Sequence, residues 1–127
     1  MKFSLGKEER LKSKKLISKL FTDGNSIKVF PLRMVYLQTE HTSNFPAQIG
    51  VSVPKRKFKK AVDRNKIKRL LRESYRTQKN IMYSNIDQPY VFMISYLAKE
   101  EWNYHDIEKK MTLLLHKFTE EIKKDEK

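Results

Sequence analysis

The residues of this chain with the clearest chemical pattern are cationic. Between Ala61 and Arg76, "AVDRNKIKRLLRESYR" places six Lys and Arg in sixteen positions. At 100° per residue, Asn65, Lys68, Arg69, Arg72 and Arg76 fall on one side of a helix, with Arg64 at its edge. Ile67, Leu70, Leu71, Ser74 and Tyr75 fall on the other side. Guanidinium groups at helical intervals suit a row of phosphates, because each presents a planar fork to two oxygens. Asn65 among them could read a base edge or a sugar hydroxyl as well as a phosphate.

Protein-based catalysis has little to work with. His41, His105 and His116 are dispersed and share no spacing with carboxylates that would give a metal site or a general base. The three glycines, Gly6, Gly24 and Gly50, form no phosphate loop. Zero cysteines exclude disulfides and thiolate metal sites, and fit a reducing compartment. Asp63 and Glu73 read as charges that temper the basic helix.

The charge is concentrated. The chain of 127 residues carries a formal +13, and Lys55 to Arg76 alone holds eleven basic residues against two acidic ones, a net +9 that leaves +4 elsewhere. Such a field suits a polyanion, nucleic acid first and an anionic membrane surface second. No apolar run approaches the roughly 18 residues of a membrane span. The start "MKFSLGKEER" lacks the apolar core of a secretory signal, so a cytoplasmic location is expected.

The elements that must position these residues follow from periodicity. Residues 13–22 form a helix with Ser13 as N-cap and Leu16, Ile17, Leu20 and Phe21 apolar, stopped by "DG" at 23–24. Residues 29–38 read as a strand with Pro31 near its start or at a sheet edge, or as a segment bent into two pairings. "HTSNFP" is a turn, and "AQIGVSV" alternates as a half-buried strand. The basic helix spans 61–76, residues 80–88 form a polar connection, and "YVFMISYL" (90–97) has the continuous apolar character of a central strand. Asn103 caps a last helix with Ile107, Met111, Leu114, Leu115, Phe118 and Ile122 on one face. The order α-β-β-α-β-α gives an α+β sandwich on at least three strands. No linker divides the chain, so one domain over 1–127 is expected, with about 9–120 ordered and both ends frayed. Phe21 and Tyr36 are candidates to stack on unpaired bases, although core packing is the commoner use of such residues.

The stretch "FKKAVDRNKIKRLLR" (58–72) resembles the signature of the bacterial ribonuclease P protein component. That signature is an aromatic or aliphatic residue, Ala three positions on, Arg-Asn-basic, an aliphatic, two basic residues and, after one position, an aliphatic and a basic. Phe58, Ala61, Arg64, Asn65, Lys66, Ile67, Lys68, Arg69, Leu71 and Arg72 satisfy it. "RLKSKKLISKLFTDG", "IGVSVPKR" and "YVFMISY" resemble the family's first helix, the strand before its basic helix and its last strand. Lys66 stands where the family's hallmark has a second Arg, and Ile17 where an aromatic is frequent.

The resemblance implies a two-layer α+β sandwich of ribosomal-protein-like topology, with a mixed sheet and a left-handed βαβ crossover. It also implies a partnership with a catalytic RNA that, with Mg²⁺, removes the 5′ leader of precursor tRNA; neither DNA nor a membrane is an expected partner. Carried over, Arg64, Asn65, Lys66, Lys68, Arg69 and Arg72 would contact the catalytic RNA. Phe21, Tyr36, Ser52, Lys55 and Arg56 would line a leader cleft between the first helix and the sheet, with no catalytic or metal-ligating residue in the protein. From another class, a ribosome-associated or chaperone-like RNA-binding protein without an enzymatic partner is the alternative. A protein-only nuclease is a third reading, disfavoured by the scattered carboxylates.

Overall fold

A computed structural model of the chain describes residues 9–41 and 45–125, so the expected frayed N-terminal end and the middle of the "HTSNFP" turn lie outside the described residues. The C-terminal end, expected to fray after about residue 120, is instead helical to Asp125. The first helix, α1 (Lys14–Asp23), starts where the Leu16 N–H donates to the Ser13 hydroxyl at 3.2 Å. It stops at Gly24, whose N–H donates to the Leu20 carbonyl. A Cβ at Gly24 would lie 2.3 Å from that carbonyl oxygen, so glycine is required by close approach.

The expected strand 29–38 is instead part of a hairpin, β1 (Asn25–Val29) and β2 (Leu32–Gln38), turned through a cis Phe30–Pro31 bond. The additional strand thus comes from "NSIKV", upstream of Pro31, where polar residues alternate with too few apolar ones to announce it. β3 (Ala47–Ser52) and the basic helix α2 (Ala61–Arg76) follow as expected. A single turn, α3 (Asn80–Tyr83), interrupts the polar connection. β4 (Tyr90–Tyr96) and α4 (Tyr104–Asp125) complete the order, α4 capped by the Asp106 N–H donating to Asn103 Oδ1 at 2.9 Å.

The sheet order is β1-β2-β4-β3, antiparallel except for the parallel β3–β4 pair. β4 is the inner strand its apolar run calls for, bonded on both sides and buried along its length except at half-buried Ser95. A parallel pair needs a crossover, and α2 with α3 supplies it. Ile67, Leu71 and Tyr75 of α2 and the full apolar stripe of α4 bury one sheet face, with Phe118 edge-on to Tyr36 and Tyr90. On the opposite face α1 lays Leu16, Ile17 and Leu20 over Val35, Leu37, Val91 and Met93. Among the described residues, no helix is long and apolar enough to cross a membrane.

Burial gives the core a titratable component. Desolvation pushes the Tyr96 phenol from 10.0 up to about 12, and raises Tyr75 and Tyr83 in the same direction. The neutral phenols are favoured in the folded state, so this contribution is complete below about pH 10 and is lost as pH rises through the folded values. Urea midpoints should therefore be level from about pH 7 to 9 and fall between about pH 10 and 12. A Tyr96→Phe variant should lose part of that fall. A midpoint independent of pH across the alkaline range would contradict the burial of these phenols.

Candidate nucleic-acid interface

Helix α2 presents its two faces as the spacing requires. Ile67, Leu71, Ser74 and Tyr75 are buried, and Leu70 is half-buried. Opposite them, Asn65, Arg69, Arg72 and Arg76, at i, i+4, i+7 and i+11, line an open groove of about 480 Å³. Arg10 and Glu73 complete the lining. Arg10 arrives from outside the helix, because its segment pairs with the free edge of β3 in an Arg10–Ile49 bridge. Burial, and after it the charge of Arg10, lowers the Arg72 pKa; a guanidinium so perturbed still stays charged at neutral pH. Glu73 accepts from Arg76, and that bond lowers the carboxylate's pKa while raising that of the arginine.

Not every cation expected on this surface lines the groove. Arg64 Nη1 donates to the carbonyls of Phe58 and Lys59 at 2.8 and 2.9 Å, closing the loop that leads into the helix. Lys66 lies 2.9 Å from Glu101 at a largely exposed ion pair, and Lys68, half-buried, does not line the groove. Of the six residues carried over for RNA contact, the groove gathers Asn65, Arg69 and Arg72. It adds Arg76, which shares their helical stripe, and Arg10, which nothing in the local sequence connects to them.

The second expected surface is redrawn. Phe21 is 56% exposed on α1, and Ser52, Lys55 and Arg56 lie at and beyond the end of β3. Tyr36 does not join them. It is 5% exposed, its ring centroid is 4.9 Å from that of Phe118, and it faces the α2–α4 core rather than α1. Alternation along β2 puts Arg33, Val35 and Leu37 on the α1 face and Leu32, Met34 and Tyr36 on the other. The register aligns Ser52 with Ser95 and Ser95 with Arg33, so a polar row crosses the α1 face of the sheet. Arg33 and Ser95 could have been found from period-two alternation with Val35 and Met93.

Fold and surface define a class: a basic α+β sandwich whose crossover helix offers an arginine stripe to a polyanion. The chain belongs to the Ribonuclease P family, whose model matches residues 5–119. The Ribonuclease P protein component of Porphyromonas gingivalis is 38% identical over 91 residues, 71% of this chain and 66% of that relative. The match therefore spans slightly less than two thirds of that relative's length. The component from Chlorobium phaeobacteroides is 39% identical over 88 residues, 67% of this chain and 60% of its own. In fold, the RNase P protein from Thermotoga maritima superposes with a TM-score of 0.69 at 22% identity, covering 86% of this chain and 96% of that one. The Staphylococcus aureus protein gives 0.69 at 19% identity, covering 84% and 92%.

The two aromatics should separate in a stability measurement. Tyr36→Ala should cost about 3–5 kcal/mol, as removal of a buried ring does, whereas Phe21→Ala should stay within about 0.5 kcal/mol. Urea denaturation of both variants checks this. Equal losses would place Phe21 in the core as well.

Proposed function

We propose that the chain is the protein subunit of ribonuclease P, acting in the cytoplasm in 5′ maturation of tRNA. The observation that carries this reading is the groove of Arg10, Asn65, Arg69, Arg72 and Arg76 on the outer side of α2, in a chain of this family. Guanidinium groups at helical intervals on one rigid helix can follow an RNA backbone and bond its phosphates bidentately. Asn65 adds a group that can both donate and accept. On the α1 side, exposed Phe21 offers a ring for an unpaired base, and Ser52, Lys55 and Arg56 offer polar and cationic contacts to a single-stranded leader.

The protein's part is to bind and position. Phosphodiester cleavage calls for stabilisation of developing charge, which Mg²⁺ supplies when held by anionic oxygens. The groove does not fit that ion: four guanidinium groups repel a divalent cation, and Glu73, its carboxylate, is engaged by Arg76. Among the described residues no three His, Asp or Glu side chains gather as a metal site. In this reading the metal is held by the RNA subunit, and the protein offsets the repulsion between two polyanions brought together.

Single-turnover cleavage of a precursor tRNA by protein, RNA and both together tests this. RNA alone should cleave slowly and only at high Mg²⁺, both together should cleave at low Mg²⁺, and the protein freed of host RNA should not cleave. Cleavage by the protein alone, abolished by substituting one of its own residues, would overturn the subunit reading. Phe21→Ala should weaken binding of precursor tRNA more than of mature tRNA, by about 1–3 kcal/mol; equal losses would remove the ring from the leader site.

A further inference from the structure

Arg10 is held from both sides. The Glu9 carboxylate, before it, accepts from Lys79 Nζ at 2.9 and 2.8 Å and from the Tyr83 hydroxyl at 2.6 Å. The Glu9 and Lys79 side chains are each 2% exposed. Leu11, after it, is buried against the α1 side of the sheet, and its N–H donates to the Ile49 carbonyl at 2.8 Å. Between these anchors Arg10 is exposed and lines the groove with Arg69, Arg72 and Arg76.

Stability alone is a poor reason for this arrangement. Burying an ion pair costs the hydration of both charges, and the attraction often does no more than offset that cost. Placing Arg10 beside Arg72 adds repulsion in the free protein. Both costs are sensible when a phosphate is to be bound, because the anion relieves the repulsion and finds its cations already in place. The tie reaches from residue 9 to residue 79, at the junction of α2 and α3.

We propose that Glu9, Lys79 and Tyr83 form a latch that positions Arg10 as a phosphate-binding residue of the α2 groove. The N-terminal segment and the basic helix then grip one stretch of RNA backbone together. This rests on the RNA-binding reading above; Arg10 touches the RNA, and Glu9 acts through it as a positioning residue.

The test is binding of in vitro transcribed ribonuclease P RNA to the full chain across a salt series. The variants are Arg10→Gln, Glu9→Gln, their double variant and Arg69→Ala. Arg10→Gln should bind about three- to tenfold more weakly at moderate salt and lower the log–log salt slope by about 0.7 to 0.9, one phosphate contact. Glu9→Gln should give the same losses although it makes the protein more positive, a change that would tighten binding if only net charge mattered. In the Arg10→Gln background it should add nothing. Should Glu9→Gln fail to fold, Tyr83→Phe, which removes the 2.6 Å bond to Glu9 together with the hydroxyl's contact with Tyr75 and leaves the Glu9–Lys79 pair, should show the same pattern in weaker form. An unchanged slope for Arg10→Gln, tighter binding by Glu9→Gln, or additive losses in the double variant would overturn the latch. Arg69→Ala separates the two ideas: a slope loss there with none for Arg10→Gln overturns the latch alone, and no loss in either overturns the RNA-binding face as well.

Discussion

The parallel pairing of β3 with β4 is the constraint on which the rest depends. It cannot be closed by a tight turn, so the chain must cross the sheet between Ser52 and Tyr90. The crossover is stable because Ile67, Leu71 and Tyr75 bury against the sheet and α4, Tyr75 meeting Phe92 edge-on. Once those residues are seated, the rotation of α2 about its axis is fixed. Asn65, Arg69, Arg72 and Arg76 then have one direction to face. Sheet pairing, core packing and the aim of the cationic stripe are a single fact seen at three scales.

The charge that the helix carries and the charge that it offers are different quantities. Arg64 closes the loop after β3, Lys66 pairs with Glu101, and Arg76 shares Glu73. The cations that line the groove lie close together, and the Arg72 pKa is lowered by burial first and by the charge of Arg10 second. Solvent screens much of this repulsion at an open surface. What it does not screen is geometry, and a rigid helix buried on one side loses little further entropy when an RNA docks on the other.

The sequence was most legible where one periodicity dominated. The faces of α2 and α4, the alternation in β3 and the inner position of β4 could be read because burial there is one-sided or complete. β1 could not, since a five-residue edge strand with one buried residue carries almost no period-two signal. Tyr36 was misplaced for a different reason. Both faces of β2 are apolar, Met34 and Tyr36 on one and Val35 and Leu37 on the other, so alternation separates the sets without saying which one α1 covers. The family resemblance supplied a cleft, and only packing against Phe118 removed Tyr36 from it. Arg10 was beyond reach altogether, because its place depends on a bridge to β3 and on an ion pair seventy residues away in sequence.

The central claim is that the outer face of α2 is the surface on which RNA docks. The natural chain has no cysteine, so a single introduced thiol can carry an iron chelate that cuts nearby RNA with hydroxyl radicals. Val62, 76% exposed, lies on the stripe of Asn65 and Arg69, while Leu113, 53% exposed, lies on α4. With the chelate on Val62→Cys, cuts should cluster in discrete segments of ribonuclease P RNA, and with it on Leu113→Cys they should stay at background. Discrete cutting from Leu113→Cys and none from Val62→Cys would contradict the account.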